Sequence, residues 1–427
     1  MVIPSRRPGV RPVQSATSHR KKTSRLQHPM PVLPAQRPST VILVAISALG
    51  PLALNIFMPS MPGLARQFGV DYGMVQLTLT LYLIGLGVAQ LIYGPLSDRY
   101  GRRPVLLCGL ALYLVGSLLS TLAPSIAVLI LGRMLQAIGG CSGLVLGRAI
   151  IRDLYDRERS AAMIGYVTMA MSLAPMLAPA IGGYLDTLFG WRASFAFCSL
   201  IGAVILGWVA LALPETLAER GSPGFGALLR SYAGLIRSPV FCGYALQTAF
   251  TSGVFFAFIA GAPFVVVTVL GLPPSSYGLW FVVVSLGYLA GNFLTGRFSV
   301  RFGIDRMIAA GAITGLLGIT ALAVTGWFGL LTLPAIFLPM AVVGLANGLT
   351  LPNGTAGAVS VNPRAAGTAA GLSGALQMLV GAGAAVVVGY GQDIDPSQYP
   401  MIWTMLASGL LSVASFLLAL RFRRRRG

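Results

Sequence analysis

Residues 94–104 read GPLSDRYGRRP, a short charged segment between two long apolar runs. The segment carries one carboxylate, Asp98, and three arginines, Arg99, Arg102 and Arg103. It is too short to form a domain, so we expect a tight loop between two neighbouring helix ends. Basic loops of membrane proteins stay on the cytoplasmic side. The segment therefore predicts a cytoplasmic turn between two membrane-spanning helices.

The composition of the whole chain agrees with a membrane location. The 427 residues are 56% hydrophobic and 10% charged, with a mean hydropathy of +0.79. This is too apolar for a water-soluble domain. The formal net charge is +19, but the basic residues lie in tails and inter-helix segments. The charge therefore does not indicate nucleic-acid binding.

Apolar runs along the chain predict an all-α integral membrane protein with twelve transmembrane helices. Each run has about 20 residues, the length that crosses ~30 Å of hydrocarbon. The predicted spans are residues 40–60, 75–96, 104–123, 126–148, 160–185, 193–213, 240–270, 277–296, 306–326, 331–352, 365–390 and 400–420.

The loop charges test this count, because Lys and Arg should accumulate on alternate sides only if the number of spans is right. On the side opposite the basic loops only Arg66 and Arg192 remain. We therefore expect both termini on the cytoplasmic side. The basic connections are residues 1–38, 99–103, 148–159, 220–237, 297–306, 364 and 421–426.

Polar segments divide the chain into five parts. Residues 1–38 contain eight Lys or Arg among Pro, Ser and Gln, and such a segment cannot bury enough apolar surface to fold alone. We expect a disordered basic cytoplasmic tail there, with Met30 as an alternative start. The other predicted parts are an N-terminal six-helix bundle over residues 39–214, a cytoplasmic linker over 215–238, a C-terminal six-helix bundle over 239–421 and a basic cytoplasmic tail over 422–427.

The chain also contains an internal duplication. A shift of 202 residues aligns Gly101 with Gly303, whereas Val300 takes the place of Asp98. Parallel repeats related about the membrane normal place a substrate site near mid-membrane between them. We expect two related six-helix bundles around a central site, with the role of Asp98 confined to the first half. The shift also aligns Gly85 with Gly287, Gly94 with Gly296, Ser97 with Ser299 and Arg99 with Arg301.

The opening segment resembles a known family signature. The loop between the second and third helices of the major facilitator superfamily has the pattern G-x-L-a-D-r-x-G-r-r. The resemblance implies a role in conformational or proton coupling for Asp98, Arg99, Arg102 and Arg103, together with Asp153. The alternative is a plain basic anchor that needs no carboxylate. The pattern is met at Gly94, Leu96, Asp98, Arg99, Gly101, Arg102 and Arg103.

Arg133 is expected deep in the fourth span. It lies about eight residues from the outer end, which places it ~12 Å into the membrane, where a guanidinium is costly and marks a functional site. Gln136 shares its helix face. Residues 133–140, RMLQAIGG, resemble a superfamily motif whose arginine faces the central cavity and takes part in proton handling. The alternative is an arginine bonded only to neighbouring backbone carbonyls.

The fifth span carries a second motif. Pro175, Pro179, Gly182 and Gly183 share one helix face, where proline removes backbone hydrogen bonds and glycine allows close contact. The segment resembles the G-P-x-x-G-G motif of the exporting branch, with Ala178 in place of the first glycine. The alternative is a helix that is merely kinked.

Further segments resemble the bicyclomycin- and chloramphenicol-resistance branch of bacterial drug:proton antiporters. The resemblance covers the chain after residue 40 and implies a bacterial inner-membrane location. That branch commonly has an aspartate in its first helix, where this chain has Asn55, which cannot titrate. The segments are PLALNIFMP at residues 51–59, the stretches 77–104 and 148–161, GWRASF at 190–195, LPET at 213–216 and LPNGTAGAV at 351–359.

None of the eleven carboxylates lies in the middle of a predicted span. With Arg133 unopposed, the cavity should have a positive potential and favour neutral or anionic substrates. Each polar candidate could instead form an interhelical hydrogen bond. The side chains expected to line the cavity are Asn55, Tyr82, Arg133, Gln136, Gln247, Asn347 and Gln377, with Phe57, Phe255 and Phe256 as aromatic walls.

The sequence thus predicts a monomeric exporter of small amphipathic toxic compounds that uses the proton gradient and alternating access. A carrier for a metabolite or amino acid, possibly without proton coupling, remains the alternative, because fold does not fix substrate. We expect no metal, cofactor or catalytic residue. The four cysteines have no paired spacing, and the chain has no nucleophile elbow or phosphate loop that would indicate an enzyme.

Overall fold

The computed structural model describes residues 39–171, 173–217, 225–362 and 365–424, and these ranges contain helices and no strand. The predicted tail at 1–38 lies outside them, as do residues 218–224 of the linker, Arg364 and residues 425–427. The helices are α1 (Thr40–Ile56), α2 (Met61–Phe68), α3 (Tyr72–Tyr100), α4 (Arg102–Thr121), α5 (Ile126–Leu154), α6 (Arg157–Met171), α7 (Leu173–Phe189), α8 (Arg192–Ala212), α9 (Phe225–Ile236), α10 (Pro239–Phe264), α11 (Pro274–Phe302), α12 (Ile304–Trp327), α13 (Leu333–Ser360), α14 (Ala366–Ile394) and α15 (Tyr399–Arg424).

Twelve stretches of the described residues are long and apolar enough to cross a membrane, which confirms the predicted fold class. Three of these spans combine shorter elements, and one of them, Pro239–Val269, joins α10 to a π-helical turn at Val265–Val269. The first runs over Thr40–Phe68 and includes a 3₁₀ turn at Met58–Ser60, and the fifth runs over Met163–Phe189. Helix α9 lies within the predicted linker and is not among the twelve spans.

The predicted loop at residues 94–104 is almost entirely helical, which corrects the sequence interpretation. Helix α3 continues to Tyr100 and α4 begins at Arg102, so only Gly101 separates them. Gly101 has φ +102°, a conformation open to glycine and costly for other residues. A single residue can therefore reverse the chain, and Asp98 and Arg102 lie on adjoining helix ends.

The second half repeats this turn, as the duplication predicts. Helix α11 has 29 residues, the same length as α3, and ends at Phe302, followed by Gly303 with φ +82°. Helix α12 then begins at Ile304. The two halves therefore share the backbone conformation of this turn as well as its sequence pattern.

Helix α5 is the packing centre of the first half, where it contacts α1, α3 and α4. Its glycines at every fourth residue allow this, because small residues let helix backbones approach closely in lipid. A Cβ atom at Gly139 would clash with the backbone of Tyr113 in α4, and one at Gly143 would clash with the Ile46 carbonyl in α1. The glycines therefore set how closely α5 approaches α1 and α4.

We call the end of the molecule that carries Arg102, Arg301 and Arg423 the basic face, and the end that carries Asp71 and Asp393 the opposite face. In the second half α10 packs against α13, α14 and α15, and α13 packs against α11 and α12. The two halves meet where α3 packs against α14 and where α7 packs against α11. A central space between the halves is the result.

The halves are joined by hydrogen bonds at the opposite face. The Gly73 N–H at the start of α3 donates to both Asp393 carboxylate oxygens, over 3.1 and 3.0 Å. The Tyr72 hydroxyl donates to the Ala260 carbonyl over 2.9 Å, and the Gln76 side-chain amide donates to the same carbonyl. The opposite face is therefore closed by contacts between α3, α10 and α14.

Candidate functional site

A cavity of about 280 Å³ lies between the two halves. Its wall comes from α1, α3, α5 and α7 of the first half and from α10, α11, α13 and α14 of the second. The wall is largely apolar, and no described residue that lines it carries a charge. A small, uncharged, mainly apolar molecule matches these dimensions and this chemistry.

Several of the predicted cavity residues lie on this wall. Asn55 is on the α1 side, Asn347 comes from α13, and Gln377 comes from α14. Phe255 and Phe256 form an aromatic wall from α10, with ring centroids 5.8 Å apart. The cavity therefore brings together residues far apart in sequence, as the two-bundle prediction requires.

Other predicted cavity residues lie behind the wall, which corrects their expected placement. Arg133, Tyr82, Phe57 and Gln136 are fully buried in the first half, around a second centre that α1, α3 and α5 enclose. Gln247 is fully buried in the second half, where its amide donates to Thr251 Oγ1 over 3.0 Å. Helix periodicity alone does not distinguish a cavity wall from the packed interior of one bundle.

Arg133 is held between aromatic rings. Its guanidinium carbon lies 4.1 Å from the ring centroid of Phe57 and 4.1 Å from that of Tyr82, with Phe195 at 5.8 Å. Such cation–π contacts are strongest where the cation is desolvated. The rings therefore replace the carboxylate that the sequence lacks at this depth.

The Arg133 guanidinium is only partly hydrogen-bonded. One terminal nitrogen donates to the Ala53 carbonyl over 2.8 Å and also to Gln136 Oε1. Gln136 in turn donates to Ser117 Oγ over 2.8 Å. Nε and Nη2 of Arg133 have no hydrogen-bond partner among the residues that the structure describes. The carbonyl contact agrees with a structural role for Arg133, but two unpaired donors at a charged buried group also leave capacity for another ligand.

Asn55 presents its side chain differently. Its Nδ2 donates to the Pro51 carbonyl over 2.8 Å, whereas its Oδ1 is buried and has no hydrogen-bond partner in the described part of the chain. Asn55 lines the cavity, so this unused acceptor belongs to a residue of the wall.

Four polar wall residues were missed by the sequence analysis. Gln90 comes from α3, Ser252 from α10, and Ser285 and Tyr288 from α11. Ser252 donates to Gln377 Oε1 over 3.2 Å. The available signal is a polar side chain inside an apolar span. Serine is common inside spans for packing reasons, so this signal does not single out Ser252 or Ser285.

The charged residues of the opening motif form a cluster at the basic face. Arg102 donates from Nε to Asp153 Oδ2 over 2.9 Å, and from Nη1 to Ser97 Oγ over 2.6 Å and to Asp98 Oδ1. Arg103 donates to the Ala210 carbonyl over 2.7 Å. The cluster ties the ends of α3, α4, α5 and α8, whereas the guanidinium of Arg99 lies over the ring of Tyr100.

Glu215 completes this cluster and was not singled out from the sequence. Its carboxylate accepts backbone N–H groups of Arg102 and Arg103 at the start of α4, over 2.9 and 3.2 Å. Partial burial raises the pKa of the Glu215 carboxyl, but the N–H donors of Leu217, Arg102, Arg103 and Thr216 lower it by more, so the net pKa lies below its ordinary value. Glu215 thus acts as a charged cap on α4.

The second half uses different charges at the same face. Val300, the counterpart of Asp98, is 97% exposed. Asp305 at the start of α12 instead accepts from Arg423 over 2.6 Å and from the Tyr244 hydroxyl over 2.6 Å. The carboxylate near the start of the third helix of each half thus has a different origin. In the first half it is Glu215, which follows α8, and in the second half it is Asp305, in the first turn of α12 itself.

The motif of the fifth span lies where α7 meets two other helices. A Cβ at Gly182 would clash with the Ile56 carbonyl of α1, and one at Gly183 would lie 2.8 Å from the Pro274 carbonyl of α11. Across the same contact, a Cβ at Gly278 would clash with the Pro179 carbonyl. Pro175 lines the cavity. The motif is thus a site of close contact between the two halves.

Two bundles of six spans around an uncharged central cavity define a membrane transporter of the alternating-access type. Residues 43–386 match the Major Facilitator Superfamily, and the chain belongs to this family, as its sequence motifs predict.

The similar proteins include named bacterial transporters. The chain is 33% identical over 337 residues to Multidrug resistance protein D of Escherichia coli (strain K12), which covers 79% of this chain and 84% of that protein. It is 30% identical over 397 residues to the Bicyclomycin resistance protein homolog of Haemophilus influenzae, covering 89% and 96%. The fold is similar to the crystal structure of a D-xylose-proton symporter, with a TM-score of 0.71, 16% identity and coverage of 90% and 97%.

Proposed function

We propose that this protein is a bacterial inner-membrane efflux transporter for small amphipathic antibiotics and other toxic compounds, neutral or anionic. Support comes from relatives named for multidrug and bicyclomycin resistance at 33% and 30% identity over most of the chain. The observation that carries the proposal is the cavity of about 280 Å³ between the halves, with an aromatic wall and no charged lining residue.

Transport proceeds by alternating access between the two halves. With the opposite face closed through Gly73, Asp393 and Ala260, a substrate enters the cavity from the basic face. Its release requires those contacts to break and the halves to close at the basic face. Asp98, Arg102, Arg103 and Asp153 take part in this change, because they join helix ends that must move together. Arg99, on the same helix end as Asp98, is proposed to take part as well.

The proton gradient drives the cycle in this proposal. Arg133 contributes through its buried charge, which acts on the cavity from behind the wall through a low-dielectric medium. The cavity wall has no carboxylate among its described residues, so proton binding and substrate binding occur at separate groups. The protein functions as a monomer, since the site forms within one chain.

The proposal places the basic face and both termini in the cytoplasm. A reporter protein fused after Gly427 is expected to report the cytoplasmic side, and one inserted beside Asp71 the opposite side. Reports from the same side for both fusions would contradict the orientation and the count of twelve spans.

The function is tested in a bacterial host that lacks its own efflux pumps. Expression of the chain is expected to raise the inhibitory concentration of several uncharged amphipathic antibiotics, and preloaded cells should export them until the proton gradient is collapsed. An unchanged inhibitory concentration across the panel would contradict drug export. Flux that continues in both directions after collapse would instead identify a facilitator, for example for a metabolite. The facilitator is the second candidate because the described lining residues include no carboxylate.

A further inference from the structure

The orientation of the Asn55 amide is fixed by its own helix. The Pro51 carbonyl lies 2.8 Å from Nδ2 of Asn55. A carbonyl oxygen only accepts hydrogen bonds, so the Asn55 atom that faces it must be the N–H₂ donor. The same assignment directs Oδ1 away from Pro51.

Oδ1 of Asn55 is left as a buried acceptor on a residue that lines the cavity. The residue is 2% exposed and lines the cavity, and Oδ1 has no hydrogen-bond partner among the described residues. A buried polar atom without a partner is destabilising. A ligand that donates a hydrogen bond removes this penalty, whereas a ligand that only accepts leaves it in place.

The other residues of the wall indicate that the main part of the ligand is aromatic and uncharged. On the side of the second half, Phe255 lies 5.8 Å from Phe256 and 6.2 Å from Phe281 between ring centroids, and all three rings line the cavity. Offset and edge-to-face arrangements of this kind favour a further aromatic ring. None of the described lining residues supplies a counter-charge for an ionised group.

We infer that the cavity selects uncharged aromatic compounds that carry a hydroxyl or amide N–H group, and that this group donates its hydrogen bond to Oδ1 of Asn55. The inference rests on the proposed function and adds the feature by which the transporter recognises its substrates. Asn55 is a specificity-determining residue in this site, because it distinguishes a donor from an acceptor.

The experiment uses two probes that differ in one hydrogen-bond donor. 2-Naphthalenemethanol and its methyl ether share the ring system and lack charge, but only the alcohol donates. Binding of each to the purified full chain is measured by equilibrium dialysis against matched detergent. Wild type is expected to bind the alcohol roughly tenfold more tightly than the ether, the size of one net hydrogen bond.

Variants assign this difference to Oδ1. Asn55→Leu should bind both probes equally, whereas Asn55→Asp, which keeps an acceptor, should retain the preference. Asn292→Leu is the matched control, because Asn292 makes the same bond to the carbonyl four residues earlier, Tyr288, over 3.0 Å and does not line the cavity. Asn55→Ala gives a second variant if the leucine protein does not reach the membrane.

The outcomes separate this inference from the proposed function. Equal affinity of wild type for the two probes, binding of neither, or a donor preference that survives in Asn55→Leu and Asn55→Ala would overturn the role of Asn55. Export of antibiotics from energised cells is measured independently. If the wild type shows no donor preference but still exports antibiotics, the role of Asn55 is refuted and the proposed drug efflux is not. If the wild type does not export antibiotics, the proposed function is refuted.

Discussion

Arg102 donates from Nε to Asp153 Oδ2 over 2.9 Å, so the first residue of α4 is tied to the last turn of α5. The same guanidinium also donates to Asp98 in the last turn of α3. One buried side chain therefore holds three helix ends at the basic face. A guanidinium suits this role because its five N–H donors have a fixed planar geometry.

Replacement of Asp98 should weaken this connection. We expect Asp98→Asn to reduce transport at least several-fold with a near-normal amount of protein in the membrane, because an ion pair that differs between two conformations sets their balance. Val300→Asn is the control, since it alters the equivalent position of the second half, where the side chain is 97% exposed. Efflux rates and quantitative immunoblots measure both effects. Unchanged transport in Asp98→Asn would refute the connection.

Arg133 should require its planar shape as well as its charge. We expect Arg133→Ala to abolish transport and Arg133→Lys to restore little, because an ammonium cannot lie between the rings of Phe57 and Tyr82 as a guanidinium does. The control is Arg192→Ala, which removes an exposed arginine 4.3 Å from the ring of Trp191. Full activity of the lysine variant would show that charge alone suffices, and activity of the alanine variant would leave Arg133 a structural role.

The contact between α7 and α11 should depend on the absence of a side chain at Gly183. A Cβ there would lie 2.8 Å from the Pro274 carbonyl and 2.9 Å from Ser275 Cα, and backbone atoms cannot move aside cheaply. We expect Gly183→Ala to reduce transport and to increase labelling of a Ser275→Cys probe. Gly165→Ala in the same span is the control, because no described atom beyond its chain neighbours and the local helix backbone lies within 4 Å of its Cβ position. Equal labelling in the two backgrounds would contradict this account.

Introduction of a carboxylate at Asn55 should change the charge preference of the cavity. We expect Asn55→Asp to increase export of lipophilic cations relative to neutral compounds, because a negative wall group offsets the field of Arg133. The added titratable group should also make transport more steeply dependent on pH. Paired efflux of one cationic and one neutral compound over a series of external pH values measures both changes. An unaltered ratio and pH profile would show that position 55 does not govern charge selection.

Glu215 should contribute a pH-dependent part of stability. Its pKa in the folded protein lies below the ordinary value, so its contribution is present above the unfolded-state pKa of about 4.3 and is lost as the pH falls through the lower, folded-state pKa. We expect the thermal stability of the wild type in detergent to fall more steeply below about pH 5 than that of Glu215→Gln. Parallel stability profiles for the two proteins would exclude Glu215 as a charged cap.

The spans and the helix-end charges could be predicted from the sequence because they depend on local physical rules. A run of about 20 apolar residues must be helical in lipid, since every backbone polar group needs an internal partner there. The repeat of Gly101 at Gly303 could also be predicted, because the duplication is visible in the sequence. The error over residues 94–104 arose because charged residues were taken to mark a loop, although charges are also favourable at helix ends.

The position of Arg133 relative to the cavity could not be predicted, because it depends on how closely α1, α3 and α5 approach each other. The sequence by itself determined twelve helices, the duplication and a buried arginine with no carboxylate in the middle of any span. Only the tertiary structure decided that Phe57 and Tyr82 enclose this arginine, that Asn55 meets the aromatic wall of the other half, and that Glu215 caps α4. The physical reason is that burial and partner choice are set by residues distant in sequence, whose contacts form only when the two bundles pack.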